Sequence, residues 1–262
     1  MEIWQAIVLG AVQGFAEFLP VSSSGHLILM QRWLGVEEGN LFFDVMLHMG
    51  TLIPVFIVFF KEILSLFKKP FTKMGLLIIA SIPAALTGIL LGDVVEGAFY
   101  RGDILSAVLL AITFSFTAVE LFFAEKISQK NKNELPLKLK QSLYMGVAQS
   151  IAIVPGLSRS GTVISAGVLS GLNREDNASF AFLMSIPVIL GAAVISGYKC
   201  LKSGIVVDVA PLIFGVVTAA ITGYIAIKGM LKVIKKAKYR WFSVYLLVMA
   251  VLSIVTKLAF GV

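Results

Sequence analysis

Two polar patches interrupt an otherwise apolar chain. In the first, Gln13 and Glu17 stand four residues apart, a spacing that puts both side chains on one face of a helix, and Pro20-Val-Ser-Ser-Ser-Gly-His26 follows. The second is Pro155-Gly-Leu-Ser-Arg-Ser-Gly161. Each Ser/Gly stretch leads into an apolar run, so each reads as a loop feeding a helix N-terminus, where free backbone N–H groups and the helix dipole attract an anion. Ser22, Ser24 and Gly25 from one loop, and Ser158, Ser160 and Gly161 from the other, make a phosphate or diphosphate cradle to which Arg159 adds a planar guanidinium fork.

Hydrolysis of a phosphoanhydride needs a nucleophile or activated water, neutralisation of charge on the phosphoryl oxygens and a positioned leaving group. The patches hold suitable residue types in Glu17, Ser23, His26 and Arg159. His26 is a candidate general acid/base or phosphate acceptor; Ser23, Ser22 or water is the candidate nucleophile. Gln13 and Glu17 offer oxygens suited to a hard divalent cation, Mg²⁺ or Ca²⁺, that also bridges phosphates. His48 lies four residues after Asp44, a spacing that allows an Asp–His pair. Glu120 reads as interfacial, and Asn173-Arg-Glu-Asp176 as a cap before a span.

The elements that must position these groups follow from composition. The 262 residues are 58% hydrophobic and 14% charged, and the mean hydropathy is +0.93. An ordinary water-soluble domain carries about 25% charged residues, so this chain is an integral membrane protein. Its apolar runs are continuous and about twice the length of a barrel strand, which makes them helices. Six spans are expected near 43–60, 74–92, 104–124, 178–198, 209–228 and 241–260. Residues 3–34 and 139–171 are each broken midway by one of the polar patches, and irregular backbone of that kind cannot face lipid. Each is expected to be a re-entrant helix pair, giving an all-α fold of ten helices.

The two interrupted regions align at an offset of 136, pairing Gly10 with Gly146, Gln13 with Gln149, Ser22 with Ser158 and Gly25 with Gly161. Ala84-Ala-Leu-Thr-Gly88 likewise echoes Ala219-Ala-Ile-Thr-Gly223. The expectation is a single membrane domain, 1–262, built as an inverted-topology repeat of about 1–125 and 137–262. Of the 22 Lys and Arg residues, 15 fall in 61–73, 126–140 and 228–240, three loops that six spans place on one face; the positive-inside rule makes that face cytoplasmic. The net charge of +7 is explained by these flanks, so no nucleic-acid partner is expected. Met1-Glu2-Ile3-Trp4-Gln5 lacks the basic start and cleavage site of a removable signal and is expected to be retained. A P-loop is absent, and Cys200, the single cysteine, excludes an intramolecular disulfide.

Gln13-Gly-Phe-Ala-Glu17-Phe-Leu-Pro-Val-Ser-Ser-Ser-Gly-His26 and Pro155-Gly-Leu-Ser-Arg-Ser-Gly161 resemble the two signature motifs of bacterial undecaprenyl-diphosphatases, the bacitracin-resistance family. The resemblance covers essentially the whole chain. It implies an inner-membrane enzyme with an outward-facing site that needs a divalent cation and removes the terminal phosphate of undecaprenyl diphosphate, giving undecaprenyl phosphate, the lipid carrier of cell-wall precursors. Carried over by position, the family's functional residues fall on Gln13, Glu17, Ser22, Ser23, His26, Ser158, Arg159 and Ser160. Three positions depart from the family's pattern: Gln13 replaces a frequent glutamate, the threonine that follows Ser-Arg-Ser-Gly is shifted at Thr162, and His48 stands where glutamine is expected. A second reading is a polyprenyl-phosphate transporter, because broken helices in inverted repeats are also transporter architecture.

Overall fold

A computed structural model describes residues 1–36, 41–130, 135–203, 208–236 and 238–261. Of the linker expected between the repeats, residues 131–134 lie outside the described residues. The described chain is helical throughout: α1 (Ile3–Phe18), α2 (Ser23–Trp33), α3 (Leu41–Val58), α4 (Phe60–Leu66), α5 (Thr72–Phe99) and α6 (Ile104–Lys130) precede the linker. After it come α7 (Leu139–Ile151), α8 (Arg159–Leu169), α9 (Arg174–Leu183), α10 (Ser185–Ser203), α11 (Val209–Lys236) and α12 (Arg240–Phe260). Six stretches are long and apolar enough to cross a membrane: α3, α5, α6, α9 with α10, α11 and α12. The protein is therefore a multi-pass membrane protein.

Among the described residues twelve helical segments stand where ten helices were expected, because the span expected near 178–198 divides between α9 and α10 and α4 falls largely in 61–73, which was expected as a loop. The step from α3 to α4 is slight: Phe59 N–H still donates to Val55 O and Ile63 N–H to Phe59 O. Between α9 and α10 the cause is Pro187, which has no N–H to give the carbonyl of Leu183 and whose ring crowds the preceding turn. Asn173 caps α9, its side chain accepting from Asp176 N–H at 2.8 Å, as the sequence had suggested.

Both polar patches fall between short helices that pack on one another, α1 with α2 and α7 with α8. Ser22 and Ser158 are the N-caps of the second helix in each pair, accepting from the N–H groups of Gly25 and Gly161 at 3.4 and 3.1 Å. Each cap satisfies one of the N–H groups that a helix start leaves without an intrahelical partner.

Small residues set how closely the helices approach. Gly10 of α1 lies against the Gly215 backbone of α11, closer than any side chain at position 10 would allow. Gly146 of α7 meets α5 in the same way, and a Cβ there would sit 2.7 Å from the Ala80 carbonyl oxygen. At the offsets found in the sequence, Gly146 is the counterpart of Gly10 and Ala80 that of Gly215, so each half contributes one short helix to the other's long one. Buried serines tie the layers: Ser142 Oγ donates to Leu76 O at 2.7 Å, and Ser253 Oγ to Ala107 O at 3.2 Å.

Candidate active site

Glu17 is the hub. It lies in the last turn of α1, 4% exposed, and both carboxylate oxygens are engaged. Its Oε1 accepts from the Arg159 guanidinium at the start of α8. Its Oε2 accepts from Ser23 Oγ at 2.8 Å and from Gln13 Nε2 at 2.9 Å. Gln13, one turn earlier on α1, is fully buried. His48 approaches from α3, with Nδ1 at 2.7 Å from Gln13 Nε2 and 2.9 Å from Glu17 Oε2. A neutral imidazole accepts the amide hydrogen there, and a protonated one donates to the carboxylate. His48 thus turns to Glu17, while Asp44, its neighbour one turn away, accepts from Gln31 Nε2 at 2.6 Å.

These groups border a cavity of about 170 Å³. Glu17, Ser23, Ser24, His48, Ser158 and Arg159 form its polar part; Val45, Ala152, Ile153, Leu157, Val188, Ile189 and Ala192 form an apolar wall. With a water occupying roughly 30 Å³, that space takes a headgroup of a few atoms and not a long hydrocarbon chain. Val188 and Ile189 follow directly after Pro187, so the break between α9 and α10 shapes one wall.

The remaining sequence candidates sit around this centre. Ser160 Oγ donates to Leu19 O at 3.1 Å, joining the second loop to the end of α1. Ser22, Gly25 and Gly161 lie in the caps described above. His26 is buried beneath the first loop, with Nδ1 2.8 Å from Ser22 O and Nε2 2.7 Å from Tyr245 O–H of α12. Thr162 donates to Glu120 Oε2 at 2.8 Å, away from the cavity. That pairing gives Glu120 a partner the sequence did not suggest.

Comparison with known proteins adds to this geometry. The family described as bacitracin resistance protein BacA matches residues 6–252. The chain belongs to that family. A protein of Carboxydothermus hydrogenoformans named undecaprenyl-diphosphatase is 43% identical over 267 residues, with 99% of each chain covered. Proteins with the same name from Halothermothrix orenii and Methanosphaera stadtmanae are 38% and 36% identical, each covering 97% of this chain and 98% of the relative.

In this BacA family member the groups that hold the second loop in place escape a reading of motifs alone. Thr117 of α6 accepts from Ser158 N–H at 3.1 Å, and its hydroxyl hydrogen is shared between Thr113 O at 3.3 Å and Gly156 O at 3.4 Å, fixing the loop just before Arg159. The one signal in the sequence is a pair of threonines, Thr113 and Thr117, a turn apart in an apolar span.

The donor set can be tested against the divalent cation that the resemblance implies. Gln13 Oε1 is buried with no hydrogen-bond partner, on the amide whose Nε2 donates to Glu17 Oε2. Glu17 is the single carboxylate here and is already paired with Arg159, and no group of three or more His, Cys, Asp or Glu occurs among the described residues. These oxygens fit a cation carried in by a diphosphate, whose own oxygens complete the shell, and do not fit an all-protein cage.

Proposed function

We propose that the protein is a membrane diphosphatase that converts undecaprenyl diphosphate to undecaprenyl phosphate and inorganic phosphate. The observation that carries this reading is the convergence on Glu17 of Ser23 from the first loop and Arg159 from the second, at the edge of a headgroup-sized cavity. The names of relatives aligned over nearly the full chain support it.

The terminal phosphate competes with Glu17 for the Arg159 guanidinium, which is matched to two phosphoryl oxygens at once. Released from Arg159, Glu17 serves Ser23 as general base. Ser23 Oγ attacks the terminal phosphorus, its proton passes to Glu17 Oε2, and the bond from that phosphorus to the bridging oxygen breaks. Undecaprenyl phosphate leaves with the bridging oxygen; water then cleaves the phosphoserine, giving inorganic phosphate and restoring Ser23. Arg159 and the first-turn N–H groups of α2 and α8 hold the phosphoryl oxygens. His48 keeps Gln13 and Glu17 in register. A divalent cation, Mg²⁺ or Ca²⁺, bound to the diphosphate would be held by Gln13 Oε1 and Glu17 and would neutralise phosphate charge. The polyprenyl tail leaves along the apolar wall of Ile153, Val188, Ile189 and Ala192 into the bilayer.

The placement proposed with this chemistry is a bacterial inner membrane, with α1–α2 and α7–α8 as re-entrant pairs of two inverted repeats and the cavity opening outward. The matched contacts of Gly10 with Gly215 and Gly146 with Ala80 favour the repeat, and the basic flanks favour the orientation. The test is phosphate release from undecaprenyl diphosphate by purified protein with Mg²⁺ or Ca²⁺. Release that is lost in Glu17→Ala and Arg159→Ala is expected; no release from folded wild type overturns the reading.

A further inference from the structure

Tyr245 belongs to neither signature loop and lies on the last helix, yet it touches the ring of His26. Its hydroxyl is 2.7 Å from His26 Nε2, and the two rings are nearly parallel, 9° apart with centroids at 5.5 Å. Phe114 of α6 closes the other side edge-on, its ring centroid 5.4 Å from that of His26. Tyr245 lies in the second turn of α12, a helix tied to α6 by Glu125, which accepts from Tyr239 N–H, and by Ser253, whose Oγ is 3.2 Å from Ala107 O. Its ring is partly exposed, and its hydroxyl turns inward to His26.

The chemistry of the partners fixes the direction of the hydrogen bonds. Ser22 O is a carbonyl and only accepts, so His26 Nδ1 carries the hydrogen; Nε2 of the neutral ring is then the acceptor of the Tyr245 O–H. The Ser22 carbonyl also accepts His26 N–H at 3.2 Å. Ser22 has φ 70°, a left-handed conformation that a serine adopts only when its surroundings hold it there. Ser23, the next residue, donates to Glu17. Neither His26 nor Tyr245 borders the cavity, so neither is placed to exchange a proton with a headgroup bound in it.

We propose that Tyr245 is a positioning residue for phosphate release. It fixes the His26 tautomer whose Nδ1–H pins the Ser22 carbonyl, and the pinned loop aims Ser23 at Glu17. His26 acts through that loop, as a brace and not as an acid or base. The inference rests on the diphosphatase reading.

The experiment compares wild type, Tyr245→Phe, His26→Ala, His26→Asn and the double variant Tyr245→Phe/His26→Asn in phosphate release from undecaprenyl diphosphate, with melting temperature measured on each. Asparagine keeps a donor where Nδ1–H stands and reaches nothing at Tyr245. The expected result is a kcat about tenfold lower in Tyr245→Phe with KM within about twofold. His26→Asn should be at least tenfold faster than His26→Ala, and adding Tyr245→Phe to it should change nothing further. His26→Asn as inactive as His26→Ala, or Tyr245→Phe matching wild type, or an equal effect of Tyr245→Phe in both backgrounds, overturns the proposal. Wild type that releases no phosphate removes the diphosphatase reading, and this inference with it; active wild type with any of those variant results removes the inference alone.

Discussion

Arg159 reaches across 142 residues of sequence to hold the Oε1 oxygen of Glu17, and the pair lies inside a bundle of membrane-spanning helices. A buried ion pair adds little net stability, because desolvating two charges offsets most of their attraction. Its place at the edge of the cavity gives it another use under the proposed chemistry: both charges are held aligned until the diphosphate takes up the guanidinium.

Arg159→Lys should cut phosphate release by about a hundredfold or more, since an ammonium keeps the charge and loses the two-pronged contact. Arg159→Met should also destabilise the fold by about 3 kcal/mol by leaving Glu17 buried without its partner. Pairing it with Glu17→Gln should recover most of that stability and none of the activity, read by thermal melting and phosphate assay on the same samples.

Ser23→Ala and Ser24→Ala should separate sharply. Both hydroxyls border the cavity, but Ser23 alone donates to Glu17, whereas Ser24 Oγ has a 3.4 Å contact with Ser22 Oγ. Loss of about three orders of magnitude in turnover is expected for the first and less than about tenfold for the second. Equal losses would remove Ser23 as the nucleophile.

Chelator should abolish turnover and leave the melting temperature of the substrate-free protein unchanged. A cation that arrives on the diphosphate contributes nothing to the resting fold, whereas a resident ion stabilises whatever it binds. A drop in melting temperature on adding chelator would show a resident site.

Gly146→Leu should be a packing mutant. The side chain would enter the Ala80 backbone and push α7 off α5, at a cost of about 1–3 kcal/mol or more, visible as a lower melting temperature. The same change at Gly75, which has open space around it, should be tolerated.

The positions of the spans and of both loops were legible because polar residues in long apolar runs are costly and mark themselves. Gln13 with Glu17, Ser23 and Arg159 were found that way, and the structure brings them together. What the sequence hid was partner choice. His48 stands one turn from Asp44, yet its Nδ1 meets Glu17 and Asp44 is left to Gln31, because α1 and α2 bring different side chains to the two turns of α3. His26 sits among serines in the motif, but the first turn of α2 points its ring away from the cavity toward Tyr245, 219 residues on. Thr162 follows the second loop and turns to Glu120. Such directions depend on how helices from distant parts of the chain pack, and local spacing carries no trace of them.

The contact of α1 with α11 also sets a timetable. The helix carrying Glu17 is made first, and the helix against which Gly10 closes is made about 200 residues later. At the usual 5–20 residues per second, roughly 10–40 seconds pass before α1 can dock. For the first 142 residues of that interval the growing chain carries an acidic side chain, Glu17, whose arginine has not been synthesised. Slowing translation between residues 18 and 209 should lengthen the window in which the nascent protein is open to membrane proteolysis.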